Sequence, residues 1–140
     1  MGEKTFAIIK PDAVEKAYTG KIYDRIQKAG FNILSAKLLK MTNEQAEGFY
    51  GIHRDKPFFN DLIAFMTSGP CMVLALKKDN AVASWRETIG TTNPKDAAEN
   101  TIRRDFATSV QENAVHGSDS DENAEKEIAF FFTDSELLSN

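Results

Sequence analysis

Short β-leaning apolar runs alternate with stretches of helical periodicity along this chain, and that alternation narrows its folds more than any single motif. Thr5-Phe6-Ala7-Ile8-Ile9 has the length and residue types of a buried strand, and Lys10-Pro11-Asp12 stops it. The C-terminal edge of that strand therefore delivers polar groups. From Gly20 to Ala29, Ile22, Tyr23, Ile26 and Ala29 recur at helical spacing, and Gly30 can end the helix. Phe31 to Leu38 partly alternates apolar and polar residues, as a strand with one wetter face does. Thr42 with Gln45 three positions on predicts a capping box for a helix through Phe49 and Tyr50. A short helix from Asp61 to Met66 is broken by Ser68-Gly69-Pro70, and the apolar run Cys71 to Leu76 reads as a central strand. Asp79 is placed to cap a helix carrying Ala81, Val82 and Trp85. Gly90-Thr91-Thr92-Asn93-Pro94 then opens a long loop, relieved by one helical turn near Thr101 to Phe106, that leads to a polar segment around His116. Glu122 to Ala129 has Ala124 and Ile128 on one helical face, and Phe130-Phe131-Phe132 follows.

This order of elements fits an α+β or α/β sandwich. Modest strand content with helices recurring between strands favours a ferredoxin-like βαββαβ arrangement over a small doubly wound sheet. At 140 residues, 41% hydrophobic and 27% charged, the chain is expected to form one globular domain, 1–140. Seventeen basic against 21 acidic residues give a net charge of −4, which argues against nucleic acid as a partner. An anionic ligand must instead be met by a local cationic pocket. The single cysteine, Cys71, sits in an apolar run, so a buried thiol in a reducing compartment is expected. No secretion signal or membrane-length run is seen, and Phe6 spoils a myristoylation pattern at Gly2, so the expectation is a cytoplasmic protein without a membrane partner.

Asn113-Ala114-Val115-His116-Gly117-Ser118-Asp119 is the segment where chemistry is expected. A neutral imidazole is available near pH 7 and can form a covalent intermediate on nitrogen. Gly117 is expected to turn the backbone and bring Ser118 and Asp119 back towards the ring, where a hydroxyl or carboxylate fixes the tautomer. Lys10, Arg86, Thr92, Arg103 and Asn113 supply three cations, a hydroxyl and an amide suited to phosphate. The Walker loop, the Gly-rich kinase loop and the dinucleotide fingerprint are all absent, so side chains must hold the phosphates. No residue set is assigned to a metal. Mg²⁺ is expected to ride on substrate phosphates, with Asp119 contributing through water. Phe58, after Pro57, is a ring that can stack on a nucleobase without reading its identity.

Ile9-Lys10-Pro11-Asp12-Ala13, Tyr50 with His53, Pro57-Phe58-Phe59, Ser68-Gly69-Pro70, Gly90 to Pro94, Thr101-Ile102-Arg103 and Asn113 to Asp119 occur in that order. Together they resemble the nucleoside diphosphate kinases from Thr5 to Phe132, most closely the short bacterial members. The resemblance implies an antiparallel four-stranded ferredoxin-like sandwich with an added helical hairpin and a long nucleotide-facing loop. It implies that His116 takes the γ-phosphate of a nucleoside triphosphate, mainly ATP, and passes it to a nucleoside diphosphate by a ping-pong route with broad base specificity. By the same resemblance Lys10, Tyr50, Arg86, Thr92, Arg103 and Asn113 surround phosphates and ribose. Phe58 stacks on the base, with Leu62 and Val110 lining the same slot. Glu127 matches the carboxylate that orients the histidine, with Ser118 nearby.

The chain departs from the family in one place. Glu99-Asn100 stands where the family often has Pro-Gly, and Arg104 where a small residue is common. That puts loop stiffness and subunit contacts in question. Because the sequence stops at Asn140, as short bacterial members do, a homo-tetramer is the leading expectation, with hexamer and dimer open. The competing reading is a catalytically silent, nucleotide-binding regulatory module.

Overall fold

The apolar character of the runs Phe6 to Ile9 and Cys71 to Leu76 has a structural cause: each passes through the middle of one sheet and is covered on both faces. A computed structural model describes residues 2–138; Met1, Ser139 and Asn140, and with them the ends of the expected 1–140 domain, lie outside the described residues. Strands β1 (Lys4–Ile9), β2 (Asn32–Leu39), β3 (Cys71–Lys77) and β4 (Val115–Gly117) form a four-stranded sheet in the order β2-β3-β1-β4. Every neighbouring pair is antiparallel, with Ile8 opposite Val73 on one side and His116 on the other. This is the α+β ferredoxin-like sandwich expected, and the doubly wound alternative is excluded.

Side chains of β1 and β3 alternate between two cores, as the strand period requires. Phe6, Ile8, Val73 and Ala75 face a core closed by α3 (Asn43–Phe49), α4 (Phe59–Met66) and α7 (Asp121–Phe131). Ala7, Ile9, Leu74 and Leu76 face the other, closed by α2 (Thr19–Lys28), α5 (Ala81–Ile89) and α6 (Ile102–Phe106). Burying each large apolar side chain contributes about 1.5–3 kcal/mol, so a polar residue at any of these positions is strongly opposed.

The local signals act as read in several places. Thr42 and Gln45 form the reciprocal capping box of α3, and Gly30 adopts φ +93° just beyond α2. Three expectations are corrected. Pro11 does not only end β1: it opens α1 (Pro11–Glu15), where its missing N–H is no loss, in a helix too short to show periodicity. Asp79 does not cap α5; Asn80 occupies that position at φ +53°, and the Gly2 carbonyl accepts the Ala81 N–H at 2.8 Å. The third concerns His116. Instead of a turn it lies on β4, whose three residues are too few for a sequence pattern and are fixed by pairing with β1.

Candidate active site

His116 owes its position to the edge of the sheet. The Trp85 indole Nε1 donates to its carbonyl at 3.0 Å, and a Cβ on Gly117 would come within 2.7 Å of Trp85 Cδ1. Gly117 is thus needed for the close approach of an indole and not for a turn, which corrects the expectation above. Ser118 reaches the ring by another route. The Phe6 N–H donates to its buried hydroxyl at 3.2 Å, so the side chain extends the β1–β4 pairing. The same hydroxyl donates to Glu127 Oε1 at 2.7 Å, and that oxygen lies 3.1 Å from His116 Nε2. Glu127 reaches it from α7. With Nε2 engaged by a carboxylate, Nδ1 is the nitrogen left for chemistry. The Phe6 and Phe49 rings pack against the imidazole in T-shaped pairs at centroid distances of 6.0 and 5.6 Å.

The imidazole opens into a cavity of about 470 Å³ lined also by Tyr50, Phe58, Leu62, Asp119 and Glu127. The Tyr50 hydroxyl is buried and has no partner among the described residues, and burial, with Cys71 and Glu127 nearby, holds the phenol protonated far above its ordinary range. Phe58 is 48% exposed beside His53, an aromatic face available for stacking. Val110 is not brought to this wall: it stands 54% exposed on the segment joining α6 to β4 and lines neither this cavity nor the next.

The three cationic residues gather beside β4 from three distant parts of the chain. Lys10, at the end of β1, donates from Nζ to Asn113 Oδ1 at 2.8 Å, and Asn113 Nδ2 donates to the Thr92 carbonyl at 3.3 Å. Arg103, on α6, donates to the carbonyls of Gly90 at 3.0 Å and Val115 at 2.9 Å, while its buried Nε has no partner among the described residues. Arg86 contacts the Ser118 carbonyl at 3.5 Å, and Arg86, Thr92 and Arg103 line a second cavity. Burial lowers Lys10 to about 8, with Arg103 adding to the effect and Asp12 opposing it; burial, then Arg86, lowers Arg103 to about 10. Like charges held this close, partly desolvated, make a site that gains by receiving an anion.

Asp12 is the residue the sequence reading passed over. Its 4%-exposed carboxylate accepts the Ala114 N–H at 3.1 Å, and Ala114 has φ +74°. The one clue was a carboxylate directly after a strand end. Trp85 gave none, because its helical spacing reads as core. Among the described residues no group of three or more His, Cys, Asp or Glu side chains is placed to hold a metal ion.

Comparison with known proteins follows the same lines. The family model described as nucleoside diphosphate kinase matches residues 3–137. A nucleoside diphosphate kinase of Legionella pneumophila (strain Paris) is 61% identical over 137 residues, covering 98% of this chain and 97% of that protein. One from Geotalea uraniireducens (strain Rf4) is 56% identical over 136 residues, covering 97% and 99%. Among solved structures, the Aquifex aeolicus nucleoside diphosphate kinase superposes with a TM-score of 0.95 at 44% identity, covering 97% of this chain and 99% of that one. The Halobacterium salinarum nucleoside diphosphate kinase, in complex with CDP, gives 0.93 at 37% identity, covering 99% and 92%. With a family model spanning nearly the whole sequence and relatives this similar end to end, the chain belongs to the nucleoside diphosphate kinase family.

Proposed function

We propose that this protein moves the γ-phosphate of a nucleoside triphosphate, mainly ATP, to a nucleoside diphosphate through a phosphohistidine on His116. The observation that carries this reading is the pairing of His116 Nε2 with Glu127 at 3.1 Å, which leaves Nδ1 as nucleophile. In the first half-reaction Nδ1 forms a bond to the γ-phosphorus as the bond to the β–γ bridging oxygen breaks, and the diphosphate leaves. Glu127 stabilises the proton that stays on Nε2, with Ser118 holding the carboxylate. In the second half-reaction a β-phosphate oxygen of another diphosphate takes the phosphoryl group, and the neutral imidazole is restored. Positioning and charge neutralisation dominate such transfers, and Lys10, Arg86 and Arg103 provide the positive charge, with Thr92 and Asn113 as further polar contacts and Tyr50 as an uncharged donor. Mg²⁺ carried on the phosphates supplies further neutralisation, with Asp119 available to hold it through water.

Phe58 and Leu62 form the base wall. Stacking reads no base identity, so broad specificity follows, and Val110 joins only if its segment moves inward when nucleotide binds. The chain acts as one domain over 1–140, assembled as a tetramer ahead of hexamer or dimer, in the cytoplasm. No helix among the described residues is long and apolar enough to cross a membrane. The silent regulatory module is not favoured, since relatives 56–61% identical over nearly the whole chain are nucleoside diphosphate kinases and His116 is paired with a carboxylate. The test is transfer from ATP to GDP, CDP and UDP in turn, with Mg²⁺. Comparable turnover with all three, abolished in His116→Ala, supports the reading; nucleotide binding without turnover overturns it.

A further inference from the structure

We propose that Arg25 is a positioning residue for phosphoryl transfer, which sets Arg103 by fastening both flanks of α6 to α2. The proposal rests on the reading that Arg103 meets a substrate phosphate. A five-residue helix such as α6 has little stability of its own and must be fixed from outside. One guanidinium does so on both sides of Arg103. Arg25 Nη1 pairs with Asp105 Oδ2 at 2.8 Å, two residues after it, and Nη2 donates to the Asn100 carbonyl, three residues before it. The guanidinium also lies over the Phe106 ring, 5.6 Å from its centroid, and Tyr18 packs on that ring at 5.0 Å. The planar fork of arginine suits this double grip, and the single ammonium of lysine does not.

The sequence makes such a grip necessary. Asn100 has φ +71°, a left-handed conformation that glycine adopts freely and asparagine tolerates, and Glu99 gives none of the stiffness of a proline. The chain supplies arginines around this turn instead: Arg25 from α2, and Arg104, whose Nη1 donates to the Ala97 carbonyl at 2.8 Å. Arg103 shares its surroundings with the like charges of Lys10 and Arg86, which repel it, so its place depends on being held.

The Arg25–Asp105 ion pair of this clasp by itself adds little to stability, because the two side chains are 25% and 41% exposed and such pairs contribute little. A catalytic effect is different, since a shift of about 1 Å in a phosphate-binding group can lower rates by up to about a hundredfold. The test measures kcat/KM for GDP and melting temperature in Arg25→Ala, Arg25→Lys, Asp105→Asn and Arg25→Ala/Asp105→Asn, beside Arg103→Ala. The expected result is a loss of about tenfold in kcat/KM for Arg25→Ala with little change in melting temperature. Arg25→Lys recovers only part of it, Asp105→Asn falls in the same direction, and the double variant is no worse than Arg25→Ala. Wild-type kcat/KM in Arg25→Ala beside a large loss in Arg103→Ala overturns the clasp alone. So do losses that multiply in the double variant. Wild-type kcat/KM in Arg103→Ala overturns both the clasp and the phosphate role beneath it.

Discussion

The Ser118 hydroxyl donates to Glu127 Oε1 at 2.7 Å, the same oxygen that faces His116 Nε2, and it also accepts the Phe6 N–H at 3.2 Å. One buried hydroxyl therefore links the orientation of the His116 ring to the pairing of the sheet. Ser118→Ala leaves the Phe6 N–H without its partner and is expected to lower stability by about 1–3 kcal/mol. Turnover falls as well, because Glu127 loses a restraint. Urea unfolding and steady-state kinetics check the two effects separately.

Gly117→Ala drives a methyl group into Trp85, 2.7 Å from Cδ1 and 3.1 Å from Nε1. The indole must shift and its bond to the His116 carbonyl weaken, at about 1–3 kcal/mol. Because this is the chain's one tryptophan, fluorescence reports the displacement directly. An unchanged emission maximum together with unchanged stability contradicts the close-approach account.

Lys10 titrates near 8 because of burial first and Arg103 second. For the free enzyme, kcat/KM is expected to fall as pH rises through about 8, where the ammonium is lost. Stability moves the other way. The folded value lies below the ordinary 10.5, so the buried charge is unfavourable to folding below pH 8, and that penalty is relieved between 8 and 10.5. Lys10→Met should be more stable than the parent at pH 7 and nearly inactive. Urea midpoints at pH 7 and 9.5 test the sign: the midpoint difference between the two proteins narrows at the higher pH.

Asp12 fixes Ala114 at φ +74° by accepting its N–H, while the Lys10 N–H donates to the Ala114 carbonyl at 2.8 Å. Asp12→Ala removes the acceptor and is expected to destabilise by about 1–3 kcal/mol, whereas Asp12→Asn keeps an acceptor in place and loses less. Equal losses in the two variants, measured by urea unfolding, would show that charge and not the hydrogen bond is what counts.

Legibility in the sequence followed the range of the interactions. β1 and β3 were plain because burial on both faces makes them apolar throughout, and the Thr42 cap and Gly30 stop act over three or four residues. β4 was hidden because three residues carry no period and its pairing partner lies more than 100 positions away. The site divides in the same way. His116 stood out by its chemistry and Lys10, Arg86 and Arg103 as cations suited to phosphate, but these and Glu127 converge only through the topology, so their arrangement and the choice of Glu127 came from resemblance to a family. Asp12 and Trp85 act on backbone atoms of the 113–117 segment, contacts that residue types do not reveal.

The central claim is that phosphate rests on one nitrogen of one histidine. Brief incubation with γ-labelled ATP and Mg²⁺, followed by identification of the modified atom and a chase with GDP, tests it most directly. The account predicts acid-labile phosphate on Nδ1 of His116, discharged quantitatively as GTP. Phosphate on Nε2 or on another residue, or ATP bound with none incorporated, contradicts it.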